Sequence, residues 1–174
     1  MSNPPRRFPS TKRIRLMTIA ATATISLGAP AHPHHSFSMY DTNRIYNFTG
    51  VVTRVNPSAA HLIIHFAPLN ESRDKILRDK NGDPAEWTVE MGGTAQVAAD
   101  GITVNNFPRG SIISVGLHPL RNNGRAGGRG HSGLFKCPAN TPPLPGMHCD
   151  SVAGSTSHGE GVMQKPTEIW APQE

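Results

Sequence analysis

Ile45-Tyr46-Asn47-Phe48-Thr49-Gly50-Val51-Val52-Thr53-Arg54-Val55 decides how this chain is read. The run is rich in β-branched and aromatic residues, which fit the pleated, half-buried surface of a sheet. Tyr46, Phe48, Gly50, Val52 and Arg54 alternate with Ile45, Asn47, Thr49, Val51, Thr53 and Val55, the period of a strand. Gly50 inside it predicts a bulge or a sharp bend, a device that small barrels need. Asn56-Pro57-Ser58 ends the strand.

Downstream, Leu62 to Ala67 reads as a second, more continuously apolar strand. Lys80-Asn81-Gly82-Asp83 is a turn signal, since Asn-Gly supplies positive φ at low cost. Glu86 to Met91 is the third strand, with Trp87, Val89 and Met91 on one face. Thr94 to Asp100 can form one or two helical turns before Gly101. Ser111 to Leu117 is the fourth strand, opened by Pro108-Arg109-Gly110 and closed by Pro119, and Gly133-Leu134-Phe135 can serve as a short fifth. The order predicts a mainly β fold: a small OB-like five-stranded barrel over residues 45–136, with a short helix. An open antiparallel sandwich is the rival. The predicted core is Val51, Val55, Ile63, Trp87, Val89, Ile113 and Val115, alongside Phe48 or its neighbours depending on the bulge.

Beyond Arg121 the regular pattern fades. Residues 121–174 hold nine Gly and six Pro in 54 positions. Such a segment buries too little apolar surface to offset its ordering entropy alone. The segment 137–174 is therefore expected to be irregular and held from outside. Cys137 and Cys149, the only cysteines, provide a staple if the protein is exported, closing Pro138 to His148 into a loop. A metal-bound or redox pair would want a C-x-x-C spacing, which is absent.

Upstream, residues 1–31 have the layout of a secretory signal peptide. Arg6, Arg7, Lys12, Arg13 and Arg15 form an acid-free basic head, Leu16 to Leu27 is a modestly apolar run, and Ala29-Pro30-Ala31 is an A-x-A cleavage site. The run is short of the roughly 20 residues that span a bilayer. Arg6-Arg7 also admits a twin-arginine route, although Phe8-Pro9-Ser10 lacks the usual apolar follow-on. A mature chain beginning at His32 carries no membrane span and opens with a His-rich arm over residues 32–44. Five of the 17 basic residues and none of the 12 acids precede His32, so the formal charge of +5 belongs to the leader and the mature chain is neutral. That removes the charge argument for nucleic-acid binding, despite the arginine-glycine run Arg121 to His131, which reads as a solvated glycine loop. The expected location is periplasmic or secreted.

Several motifs resemble an uncharacterised family of small exported bacterial proteins, a domain of unknown function whose mature chains begin with His-His-Ser-Phe and an aromatic-Asp pair. Here these are His34-His35-Ser36-Phe37 and Tyr40-Asp41. A G-x-V strand leading to Asn-Pro-His is matched by Gly50-Val51-Val52 and Asn56-Pro57, but Ser58 stands where the family has histidine, and His61 follows later. Trp87-Thr88-Val89-Glu90 fits the W-x-x-E strand, and Pro108-Arg109-Gly110-Ser111 fits Pro-Gly-Asp without its acid. Gly116-Leu117-His118-Pro119 is close to the family's Gly-x-Pro element. The resemblance spans about Ala31 to Gly128. It implies an exported OB-like β-domain and no established activity.

Histidine is the best chemical lead. The free amine and imidazole of a mature His32 would form a two-nitrogen chelate, and a further imidazole would complete a site favouring copper. His34, His35, His61 and His118 are the candidates for it. The alternative is a terminus that takes up metal adventitiously. His61 and His65 share a strand face roughly 13 Å apart and do not converge. Asp79, Asn81 and Asp83 resemble part of a calcium loop, but a hairpin turn accounts for them better. Glu90 is a lone acid that could lie at a barrel mouth. No G-x-S-x-G, H-E-x-x-H or P-loop is present. The sequence therefore reads first as a non-enzymatic envelope binding module for a small ligand or a partner protein. A periplasmic copper-binding protein is the alternative, and an enzyme built on copper or on Glu90 with a histidine is the third class.

Overall fold

The computed structural model describes residues 37–172. Five strands make the barrel: β1 (Tyr46–Pro57), β2 (Leu62–Pro68), β3 (Trp87–Glu90), β4 (Ile112–Pro119) and β5 (Ala126–Gly128). They neighbour one another in the order β1-β2-β3-β5-β4, and β4 returns to β1 to close the cylinder. All pairs are antiparallel except β3 with β5. The helix α1 (Thr94–Ala99) lies between β3 and β4 in the chain. The mainly β, OB-like barrel read from the sequence is the fold that forms.

β1 serves two partners. Tyr46 to Val51 pair with β4, while Gly50 to Pro57 pair with β2. Gly50 sits in both ladders, opposite Pro68 and Ile113. A Cβ there would lie 2.8 Å from the Ala67 carbonyl oxygen and from Phe66 Cδ2, so only glycine lets the strand fold this tightly onto β2. The bulge falls three residues later, where the register slips between Val52 and Arg54.

The bulge corrects the predicted core. Before it Tyr46, Phe48 and Val52 face inward; after it the parity flips and Val55 turns partly in against the core. Val51 is only half-buried. On β2 the inward set is Leu62, Ile64 and Phe66, which leaves Ile63 on the other face and half-buried. A continuously apolar strand gives no alternation from which to choose a face. Trp87, Val89, Ile113 and Val115 are core as expected, joined by Phe107, Ile102 and Leu134.

The fifth strand also differs from its prediction. It lies inside the run read as a solvated glycine loop, and Leu134–Lys136 instead forms β6, paired with the first half of β4. Gly127 and Gly128 are there because neighbours come too close for a side chain. A Cβ at Gly127 would overlap Leu117 Cδ1 and lie 2.6 Å from the His118 carbonyl oxygen. The run's arginines have partners within the fold, though only Arg129 is buried. Arg125 reaches Asp79 at 3.5 Å, Arg121 Nε donates to the Ser38 carbonyl, and Arg129 is buried with Nε on the Ser132 carbonyl.

The 79–83 turn is held by Asp79, whose carboxylate accepts from the amides of Asn81 and Asp83 while Gly82 takes positive φ. The Cys137–Cys149 disulfide is formed. Its loop covers the outward-facing Thr49–Ser114 pair of β1 and β4, and the Cys149 amide donates to Ser114 Oγ at 2.8 Å. A last short strand, β7 (Thr156–Ser157), adds to β6.

Gly127→Ala should cost about 1–3 kcal/mol, because the methyl meets backbone on one side and a core leucine on the other. Urea denaturation of the variant against the parent measures it.

Candidate functional site

Three clusters of polar groups emerge from this frame. They differ in whether their members already have partners.

The first lies outside β1 and β2. His65, buried, places Nδ1 at 3.1 Å from Glu86 Oε1 and Nε2 at 3.2 Å from Asn56 Nδ2. A neutral ring protonated on Nδ1 satisfies both, donating to the carboxylate and accepting from the amide. Thr53 donates to the other Glu86 oxygen at 2.6 Å, and Arg54 flanks the ring. Burial pushes the Glu86 carboxyl up, but the Thr53 and His65 hydrogen bonds and the nearby charges outweigh it and hold it below the usual carboxylate range. His65, Glu86, Thr53 and Asn56 are engaged with one another, and the exposed Arg54 beside them stands alone, with no second group among the described residues converging on it.

The second lies on the outer face of β3, β5 and β4. Glu90, Gly128 and His118 are in register across the three strands, which places Glu90 and His118 about 10 Å apart with glycine between them. The Tyr40 ring fills that gap. A Cβ at Gly128 would lie 2.6 Å from Tyr40 Cδ2, and the phenol donates to Glu90 Oε2 at 2.7 Å. Burial, and then the bond to Glu90 and its charge, raise the Tyr40 pKa well above its ordinary value, so the phenol stays a donor. His61 Nδ1 lies 2.9 Å from Glu90 Oε1, an ion-pair contact not aligned as a hydrogen bond. His118 donates from Nδ1 to the Arg44 carbonyl at 2.9 Å. Glu90 thus latches the arm to the outside of the barrel and does not sit at its mouth.

His32, His34 and His35 lie outside the described residues. Among the described residues no group of three or more His, Cys, Asp or Glu side chains converges to hold a metal ion. His61 and His118 are on the same face but each has its own partner.

The third cluster is a cavity of about 750 Å³ at one end of the barrel. Its exposed lining is mainly polar, with Arg44, Lys80, Asn122 and Arg125 among it, while the Tyr46 and Trp87 rings lie buried beneath Trp170 from the segment 167–172, which packs over this end as a strap. Thr167 anchors the strap by exchanging backbone and hydroxyl bonds with Ile45, and Glu168 pairs with Arg44. Trp170 then meets Trp87 edge to face at 5.3 Å and Phe48 at 5.8 Å. Arg44 also donates to Asn123 Oδ1 and to the Tyr46 hydroxyl. Two groups are left over. The Trp87 indole N–H is buried with no acceptor among the described residues, and Lys80 on the rim has no ion-pair partner there. An orphaned buried donor costs about 1–3 kcal/mol.

The model of a family of unknown function, DUF6152, matches residues 22–129. The chain belongs to the DUF6152 family. No curated protein and no solved structure matches it. The DUF6152 match takes in the arm, the five barrel strands and the Tyr40–Glu90 latch, while Glu168 and Trp170 fall beyond it. Sequence reasoning missed the strap in this DUF6152 protein. The available signal was Trp170 itself, a large apolar residue stranded in a Gly/Pro-rich segment.

Two further histidines carry a consequence. Burial lowers the His148 pKa, as does Arg73, with Asp150 opposing. Burial also lowers that of His158, with the Asp100 carbonyl opposing and Lys136 and Arg129 adding. The folded protein therefore binds fewer protons than the unfolded chain between the depressed values and about 6.5. Their contribution is complete above about pH 6.5 and is lost as pH falls through the folded-state values. The urea midpoint should be lower at pH 5 than at pH 7.5, and His148→Asn should reduce that difference.

Proposed function

We propose that this protein is an exported envelope binding module with no catalytic activity of its own, which holds a small ligand or a partner's side group in the mouth of its barrel. The observation that carries the reading is the strapped cavity, in which Trp170 and several polar side chains, Lys80 and Asn122 among them, surround one concave space. Export is supported by the leader-like residues 1–31 and by the disulfide, which persists in oxidising compartments. No helix among the described residues is long and apolar enough to cross a membrane. Nucleic acid is left out because the arginines of the glycine run are engaged within the fold.

The reading is tested by thermal-shift screening of the mature protein against a metabolite library. Ligands that raise Tm should lose their effect in Trp170→Ala and keep it in His131→Ala. Hits indifferent to Trp170 would reject the mouth as the site.

A second reading, copper binding by the arm, draws on the Tyr40 latch. Phe37 packs beside Gly128 and Gly130, next to His118, and His35 is two residues upstream, about 7 Å at full extension. The arm is thereby tethered on the face that carries His61, Glu90 and His118. Cu(II) should bind one equivalent through His32 and at least one of His34, His35, His61 or His118. Its affinity should fall sharply when one extra residue precedes His32, because the amine is then displaced, and should fade below about pH 6 as the imidazoles protonate. Equal affinities in calorimetry for the two N-termini would reject the chelate.

A further inference from the structure

The arm face holds one imidazole with a nitrogen to spare. His118, half-buried near the end of β4, donates from Nδ1 to the Arg44 carbonyl at 2.9 Å. A carbonyl only accepts, so this bond fixes the proton on Nδ1 and leaves a lone pair on Nε2. Nε2 has no hydrogen-bond partner among the described residues. An oxygen on one ring nitrogen sets the tautomer and orientation of a metal-binding histidine and raises the basicity of the other nitrogen. The other described histidines lack this preparation. His65 and His158 have both ring nitrogens engaged. His148 places Nδ1 on the Thr49 hydroxyl, which can donate or accept and so leaves the tautomer open. His61 meets Glu90 at 2.9 Å without an aligned bond, and His131 is exposed with no bond among the described residues to orient it.

The arm is delivered to that spare nitrogen. A Cβ built on Gly130 would lie 3.5 Å from His118 Nε2 and 3.5 Å from Phe37 Cε1, so nitrogen and ring edge are at most twice that far apart. Tyr40 keeps Phe37 in place, with the two rings edge to face at 5.6 Å and the Tyr40 amide donating to the Phe37 carbonyl. His35 and His34 precede Phe37 by two and three residues, about 7 and 10 Å at full extension. His61 belongs to the other side of the latch. Its partner Glu90 is separated from His118 by the Tyr40 ring and by about 10 Å of sheet. Metal–nitrogen bonds are about 2 Å long, so one ion cannot take both rings. From this we infer that His118 Nε2 is the barrel's ligand to a Cu(II) ion taken up by the arm, and that His61 is not a ligand. The inference rests on the copper reading and narrows its barrel candidates to one ring. A neutral imidazole completing an arm set of amine and imidazole nitrogens gives the all-nitrogen environment that copper favours. The ion then closes the arm onto the barrel at a second point, beyond the Tyr40–Glu90 latch.

The test titrates Cu(II) into the full mature chain beginning at His32 and into two variants, His118→Asn and His61→Ala. Asparagine is chosen because its amide N–H can keep the bond to the Arg44 carbonyl while the Nε2 lone pair is gone. Circular dichroism checks that both variants are folded. His118→Asn should weaken Cu(II) binding about ten-fold or more, and His61→Ala should leave it within about two-fold. Electron paramagnetic resonance gives a readout that a merely structural role would not move: the nitrogen splitting of the parent should lose one coupled nucleus in His118→Asn and keep it in His61→Ala. Unchanged affinity and splitting in His118→Asn would overturn the inference. If one added residue before His32 still weakens the parent, the copper reading then survives with its ligands confined to the arm. Loss of affinity in His61→Ala in place of His118→Asn would overturn the assignment in favour of the other ring. A parent indifferent to the added residue would reject the copper reading and this inference with it.

Discussion

A single strand must hydrogen-bond along both edges to neighbours that lie on opposite sides of a closed cylinder. β1 meets that constraint by changing partners midway, and the rest of the molecule depends on how it does so. At Gly50 the chain lies in both ladders at once, with backbone and the Phe66 ring so close that a methyl has no room. Three residues on, the bulge adds twist and reverses which side chains point inward. Together these devices let twelve residues wrap around the core and not lie flat across it. β4 can then close the barrel, and the outer faces of β1 and β4 meet under the disulfide loop.

Much of this was legible in the sequence, in proportion to how local the cause is. Strand positions came from composition and period, and the helix from a short run ended by Gly101. The barrel followed from their order. What failed was parity and meaning. Val51 and Ile63 look as apolar as Phe48 and Ile64, and only the bulge and the paired neighbours decide which set faces in. The glycines of residues 124–130 have the composition of a flexible loop, yet Gly127 and Gly128 are packed against Leu117 and Tyr40. Composition cannot separate glycine chosen for freedom from glycine chosen for lack of volume, because both reasons select the same residue. The mouth was invisible for another reason. Arg44 and Glu168 are 124 residues apart, and no local pattern announces such a pair.

The histidines show how chemistry is allotted once the fold is set. His65 is consumed by Glu86 and Asn56. His118 turns Nδ1 to the Arg44 carbonyl, and the same residue, Arg44, carries Glu168 at the mouth. The arm face and the mouth thus share a structural neighbour, although one is built from the N-terminal arm and the other from the strap.

The parallel pairing of β3 with β5 has its own consequence for how the chain reaches this state. Two parallel neighbours cannot be joined by a hairpin, and here α1 and the whole of β4 intervene between them. The contact has a long sequence separation, so its loop-closure entropy must be met before any of its bonds form. Until the glycine strand is seated, β3 keeps an open edge beside apolar Trp87 and Val89, a template for pairing with another chain. Three small residues, Ala126, Gly127 and Gly128, are what cover that edge in the folded protein.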